Sequence, residues 1–296
     1  MKSPFEKFRS IIMKSPFHKD EAFLADVRRV LDARQSALWW LGQSGFLIVR
    51  NGRAIVLDPY LSDSLTQKYA QTDKPHVRIT ERVVDPAALG SLGVIDLITS
   101  SHNHTDHFDP ETLRPLLTAN PQARLVIPAA NREVAAERLS GFDSRFIGMD
   151  DATSTMLAEV RIFGVASAHP TVERDSSGKC HFLGYVIEWG GQTFYHSGDT
   201  VEHEALVPAL KRFSIDVAIL PINGDRPERR VAPNLDGPQA VRLAHKIGAR
   251  CVIPCHFDLF EFNTASPDEF VAEARRLEQP FFILQNGGQL GLPVKI

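Results

Sequence analysis

The segment Ser101–Asp109, SHNHTDHFD, constrains this chain more than any other. Three histidines and one aspartate (His102, His104, Asp106 and His107) stand within six residues, directly after the apolar run VIDLIT. A short β-branched run that breaks into such a loop reads as a strand delivering side chains into a pocket. Neutral imidazole and carboxylate together suit a divalent zinc, manganese or iron ion. A solvated polar loop would explain the hydrophilicity but not this order of residue types.

The arrangement recurs downstream. VRIFGVA runs into His169, QTFYHSG into Asp199 and RCVIPC into His256. Singly, each is weak. A histidine at a strand end is more often hydrogen-bonded structure than ligand, and the Asp of SGDT suits a helix N-cap. Together with SHNHTDH they read as one metal-ligating set. Asp58, in VLDPYLS, stands at another strand end. There a carboxylate steadying a ligand imidazole and a turn aspartate before Pro59 are equally good readings. His196 and Ser197 adjoin Asp199 as supporting or core residues.

Around these ends, strand-like and helix-like segments alternate. LWWLGQSGFLIV, an Asn51-Gly52 turn and RAIVLD form a hairpin pattern. RLVIP, DVAIL, FFILQ and QLGLPV also read as strands, and Gly190-Gly191 joins FLGYVIEW to QTFYH. DPETLRPLLTA, a segment from about Asn131, VEHEALVPALKRF, GPQAVRLAHKIG and SPDEFVAEARRLE read as helices. This alternation predicts a mixed α/β domain with helices packed on sheets. Residues 60–92 are polar and irregular, a loop or lid near a pocket. The predicted organisation is an N-terminal helical extension over 1–36 and one catalytic domain over 37–296.

A chain of 296 residues, 43% apolar and 23% charged, can bury a sizeable core. Its net charge of -3 provides no basic field for nucleic acid. No apolar run approaches the ~18 residues of a membrane span. The N-terminus lacks a secretory apolar core, so cytoplasmic residence is expected. MKSPF occurs at Met1–Phe5 and again at Met13–Phe17, a local duplication without a repeat fold. Cys180, Cys251 and Cys255 are too few for a disulfide framework. Cys255 reads as core, with weak metal contact as the minor alternative. Trp39 and Trp40 read as core. His18, His76, His181, His203 and His245 read as surface or structural.

HNHTDH, the later His169, SGDT and the late His256 resemble the ordered ligand set of the metallo-β-lactamase superfamily, over about residues 37–293. The resemblance implies a four-layer αββα sandwich holding two divalent ions, zinc or manganese, with iron also compatible. It assigns His102, His104 and His169 to one ion, Asp106, His107 and His256 to the other, and Asp199 to a bridge. WWLGQSG, YHSGDT, DVAIL with its Gly-Asp-Arg-Pro loop, VIPCHFDLF and QNGG further resemble the L-ascorbate-6-phosphate lactonase family. The chain departs from those lactonases at His169, where they carry a carboxylate, and in the longer loop GDRPERRVAPNLDG. HNH-X-DH and GDT are shared with N-acyl-phosphatidylethanolamine phospholipase D-like proteins.

Two such ions lower the pKa of bound water toward neutrality, so no serine or cysteine nucleophile is required. Asp106 is the expected catalytic carboxylate, orienting the nucleophile or moving its proton. Arg226, Arg229 and Arg230 suit a clamp for a phosphate or carboxylate; a solvated basic loop is the better reading for at least two of them, and Arg226 is the one expected to bind substrate. Asn223 and Asp225 are expected to meet sugar hydroxyls. The leading expectation is a lactonase for a small sugar lactone, bare or phosphorylated. A phosphodiesterase and a non-catalytic metal-binding protein are the alternatives. The expected partners are a small-molecule substrate and further copies of the chain in a homo-oligomer.

Overall fold

The computed structural model describes residues 13–294. Its first sheet has seven strands: β1 (Ser36–Gly42), β2 (Gly45–Arg50), β3 (Arg53–Leu57), β4 (Ile95–Thr99), β5 (Arg124–Pro128), β6 (Phe146–Met149) and the last strand of the chain, Gln289–Leu292. The second sheet has six: β7 (Ser154–Leu157), β8 (Val160–Ala166), β9 (Leu183–Trp189), β10 (Gln192–His196), β11 (Val217–Pro221) and β12 (Cys251–Cys255). With Gln289–Leu292 as β13, the orders are β13-β1-β2-β3-β4-β5-β6 and β12-β11-β10-β9-β8-β7.

Two-residue periodicity divides the first sheet between two cores. Leu38, Trp40, Phe46, Ile48 and Ile55 join Ile162, Ile187 and Phe194 of the second sheet in one buried cluster. The alternate residues Ala37, Trp39, Leu47, Val49 and Val56 pack instead with Phe23, Val27 and Val30 of the helix Asp20–Asp32. Leu113, Leu116 and Leu117 of the helix Pro110–Ala119 complete that second core. Full burial of such side chains stabilises by about 1.5–3 kcal/mol each. Helices Gly237–Lys246 and Asp268–Arg276 bury Ala240, Val241, Phe270 and Ala274 at the second sheet. The layers therefore run helix, sheet, sheet, helix.

Strand direction positions the site. In the first sheet β1, β3 and β4 run the same way, with β2 antiparallel between β1 and β3. In the second, β8, β10, β11 and β12 share one direction. Each set thus ends at one edge of its sheet.

Several segments differ from the sequence pattern. The edge strands β6 and β7 are additional; β7 has no buried residue, so its alternation carries little hydrophobic signal. FFILQ makes only an isolated bridge from Phe281 to Val252. Within VEHEALVPALKRF the α-helix spans only Leu206–Leu210; Pro208 in its first turn has no N–H to carry the hydrogen-bond ladder back to Glu204. Segment 60–92 contains the helices Ser64–Tyr69 and Pro86–Gly90, the latter capped by Asp85. The helix Asp20–Asp32 packs on its own domain; the earlier part of the 1–36 segment and the first MKSPF lie outside the described residues. Among the described residues no helix is long and apolar enough to cross a membrane.

Candidate metal centre

The loop after β4 folds for local reasons. The His104 carbonyl accepts from the amides of His107 at 3.0 Å and Phe108 at 2.7 Å, closing a tight turn. Asp109 then caps the next helix, accepting from the Thr112 amide at 3.1 Å, with Pro110 in the first turn. Arg138 holds the loop from the side. Its guanidinium donates to the carbonyls of Asn103 and Phe108, the latter at 2.6 Å, and lies over the Phe108 ring.

Two groups of side chains meet at the shared edge of the sheets. His102, His104, His169 and Asp199 bring donor atoms within 4.8 Å of one another, as do Asp106, His107 and His256. Asp199 touches both groups: one carboxylate oxygen is 3.3 Å from Nε2 of His107, and the other is 3.4 Å from Nε2 of His256 and 3.8 Å from that of His169. Asp106 lies 3.4 Å from His256 and 3.7 Å from His107. The donors come from the ends of β4, β8, β10 and β12, so both sheets contribute. Cys255 belongs to neither group, and burial pushes its thiol well up, leaving it protonated.

Supporting hydrogen bonds select imidazole tautomers. Asp58 Oδ2 accepts from Nδ1 of His107 at 2.8 Å, while Asp58 also accepts from the Thr99 hydroxyl and from the amide and hydroxyl of Ser101. Nε2 of His107 is therefore unprotonated toward Asp199 in the neutral ring. Nδ1 of His169 donates to the Pro233 carbonyl at 3.0 Å, with the same result. His196 instead serves structure, with Nε2 donating to the Ser44 carbonyl.

Backbone strain marks the same edge. Gln43, Asp58 and His256, at the ends of β1, β3 and β12, have φ of 49°, 39° and 60°. Non-glycine residues held there carry a cost of order 1 kcal/mol or more and cluster at functional sites. The Gln43 carbonyl is fixed by the Trp40 indole and the His256 amide, both at 2.9 Å. Its side-chain amide donates to Asp106 at 2.8 Å. It also lies 3.3 and 3.0 Å from the two ring nitrogens of His256, which places it against the ring rather than on one lone pair. Gly198 has φ of 58°, and a Cβ there would collide with the Ser101 side chain, so SGDT requires its glycine.

Asp58 and Asp199 are buried and Asp106 is largely so, an arrangement that demands positive charge. Burial alone would raise the Asp199 carboxyl, but His256 and His107 hold it well below the usual range. Burial alone would lower His256, but Asp199 and Asp106 lift it to about 9. His102 is held well below its ordinary value by burial and the neighbouring imidazoles. Nε2 of His102, Nε2 of His107 and Oδ1 of Asp199 are buried without hydrogen-bond partners. Unpartnered lone pairs among buried carboxylates fit divalent cations.

A cleft of about 610 Å³ opens over the cluster, lined by Gln43, His104, Asp106, His169, Asp199, Asn223 and His256 among others. Asn223 is buried there, bonded through its amide to Asn263 and through its oxygen to Asn234. None of the three loop arginines lines the cleft, which differs from the expectation for Arg226. Arg226 is exposed and outside the lining; Arg229 is spent on the Asn223 and Thr264 carbonyls, and Arg230 pairs with Asp73 at 2.6 Å. Asp225 is also exposed and outside the lining. The cations on the cleft wall are Lys68 and Arg138. Arg138 and His76 line the cleft although no motif singled them out, and Gln43 lines it from within WWLGQSG, where the sequence reading gives it no site role. Gln43 obeys the same strand-end rule as the histidines; Arg138 carries no sequence signal.

A family model described as "Beta-lactamase superfamily domain" matches residues 37–256. A UPF0173 metal-dependent hydrolase of Rubrobacter xylanophilus is 28% identical over 262 residues, covering 85% of this chain and 95% of the relative. A probable L-ascorbate-6-phosphate lactonase of Escherichia coli is 25% identical, covering 87% of this chain and 81% of its own. The structure of a possible metal-dependent hydrolase from Veillonella parvula aligns with a TM-score of 0.67 at 15% identity, covering 87% of this chain and all of that one.

Proposed function

This chain belongs to the β-lactamase superfamily, and on that premise we propose that it is a metal-dependent hydrolase that opens a lactone, using two divalent ions, zinc or manganese. One observation carries the reading: His102, His107 and Asp199 present buried, unpartnered donor atoms inside two adjoining ligand groups. In this reading His102, His104 and His169 hold one ion, Asp106, His107 and His256 the other, and Asp199 both. When bound, the ions supply a water-derived nucleophile near neutral pH and polarise the substrate carbonyl.

The chain's own residues do the rest. Asp58 and the Pro233 carbonyl hold His107 and His169 in the tautomer that frees Nε2. Asp106 is oriented by the Gln43 amide, lines the cleft, and is placed to hold or move the proton of the attacking group. Arg138 keeps the histidine loop in place. Lactone substrates are favoured by the likeness to the E. coli lactonase. A 6-phosphate is not favoured, because Arg226 stands outside the cleft.

The test is metal content of protein purified without added metal, with hydrolysis of γ-butyrolactone and of bis(p-nitrophenyl) phosphate before and after chelation. Near two ions per chain with chelator-sensitive lactone opening is expected. Phosphodiester hydrolysis without lactone opening would replace the reaction class, and failure to take up metal would remove the ligand assignment.

A further inference from the structure

One wall of the cleft has no part in the chemistry above. Tyr69 stacks on His76 with ring centroids 4.1 Å apart and planes at 21°. The His76 ring meets Phe262 edge-on at 4.4 Å and Phe260 at 5.5 Å. All four rings line the cleft that His104, Asp106, His169 and His256 also line. Tyr60, Leu65 and Leu259 pack with Tyr69, Phe260 and Phe262 in a separate small core, Leu65 also reaching the cleft.

The wall is preformed. The Ile79 amide donates to the Leu259 carbonyl and the Glu261 amide to the Val77 carbonyl, both at 2.9 Å, and the Thr66 hydroxyl donates to the His76 carbonyl at 2.7 Å. These bonds tie the helix Ser64–Tyr69 and the segment after it to the loop that follows His256, so the rings are held at a fixed place relative to that ligand. The wall is also uncharged at its centre. His76 turns Nδ1 onto the Lys74 carbonyl, and burial lowers its pKa, leaving a neutral ring. Lys68, the nearby cation, lies over Tyr69. Tyr69, His76 and Phe262 are only partly buried, so ring surface faces the space beside the metal ligands. A platform of stacked and edge-on rings recognises another ring by the same geometry.

We propose that Tyr69, His76, Phe260 and Phe262 form a subsite for an aromatic arm of the substrate, seated beside the carbonyl that the metal centre attacks. The proposal rests on the hydrolase reading above and narrows its substrate to aryl-bearing lactones. The cleft volume lies within the range of sites for drug-sized ligands and exceeds what an unsubstituted lactone requires.

The experiment compares γ-butyrolactone with γ-phenyl-γ-butyrolactone on zinc-loaded or manganese-loaded protein. In parallel, calorimetry compares acetohydroxamate with benzohydroxamate, which needs no turnover. The phenyl compound is expected to gain about tenfold or more in kcat/KM, and benzohydroxamate a similar factor in affinity. Phe262→Ala and, separately, Tyr69→Leu should each cut these preferences severalfold while leaving the unsubstituted probes unchanged. A benzohydroxamate preference without opening of either lactone would support the subsite and refute the lactonase reading. Equal affinity of the two hydroxamates, or a preference that survives both substitutions, would overturn the subsite.

Discussion

Asp58→Asn tests how the chain prepares a ligand before any metal arrives. The carboxylate is buried, and its Oδ2 receives the Nδ1 hydrogen of His107 at 2.8 Å. Its Oδ1 receives the Thr99 hydroxyl at 3.0 Å and the Ser101 amide at 3.1 Å. An asparagine that keeps its oxygen toward Thr99 and Ser101 turns an NH2 toward His107. Two donors cannot share that contact, so the ring must move its hydrogen to Nε2 and accept at Nδ1. Nε2 is the atom 3.3 Å from Asp199 that the proposed ligand set assigns to the metal. The Ser101 hydroxyl can rotate to accept, so damage to the fold is small beside damage to the site. Loss of a supporting carboxylate lowers metal affinity about 10–100-fold, equivalent to about 1.4–2.7 kcal/mol. Competition against a chelating indicator measures this directly, with urea denaturation of the metal-free protein as the control. A folded variant that binds two ions as tightly as the native chain would refute the tautomer reasoning.

Three further outcomes follow from the geometry. Arg138→Ala removes the donors to the Asn103 and Phe108 carbonyls and should cost about 1–3 kcal/mol in chemical denaturation, with only partial recovery in Arg138→Lys; a loss below about 0.5 kcal/mol would show that the loop holds itself. Chelation should lower the melting temperature by several degrees and re-addition restore it, since ions at 100 times their dissociation constant contribute about 2.7 kcal/mol per site; a melting temperature indifferent to metal speaks against binding at these residues. Burial lowers the His76 pKa from 6.5, so on acidification the unfolded chain takes up the proton first: this contribution to stability is complete above pH 6.5 and declines as pH falls through 6.5 toward the folded value. Denaturation at about pH 7.5 and about pH 5.5 should therefore show a smaller acid loss in His76→Phe than in the native chain, and identical losses would contradict that assignment.

Much of the site was legible because metal ligands restrict residue type. SHNHTDH is a local pattern, and short apolar runs ending just before His169, Asp199 and His256 mark strand ends. The same rule reaches Gln43 after WWLG, once a non-histidine is admitted as a site residue. Arg226 shows the limit in the other direction: its chemistry suits an anion, but the backbone leaves it exposed outside the cleft. The helices within 60–92 were hidden because both are short: Ser64–Tyr69 is mostly polar, and Pro86–Gly90 spans only five residues, too few to show a helical period.

Sequence by itself determined the layered α/β class and the side chains able to bind metal, since both depend on residue type and short-range spacing. Tertiary structure decided which of those side chains meet. The shared direction of β8, β10 and β12 in one sheet, and of β3 and β4 in the other, carries residues far apart in the chain to the edge where they meet. It also decided that Arg138 braces the histidine loop and that Tyr69 and His76 share a wall with Phe260 and Phe262. Those contacts join segments whose separation in sequence carries no period, and only close packing of the whole chain brings them together.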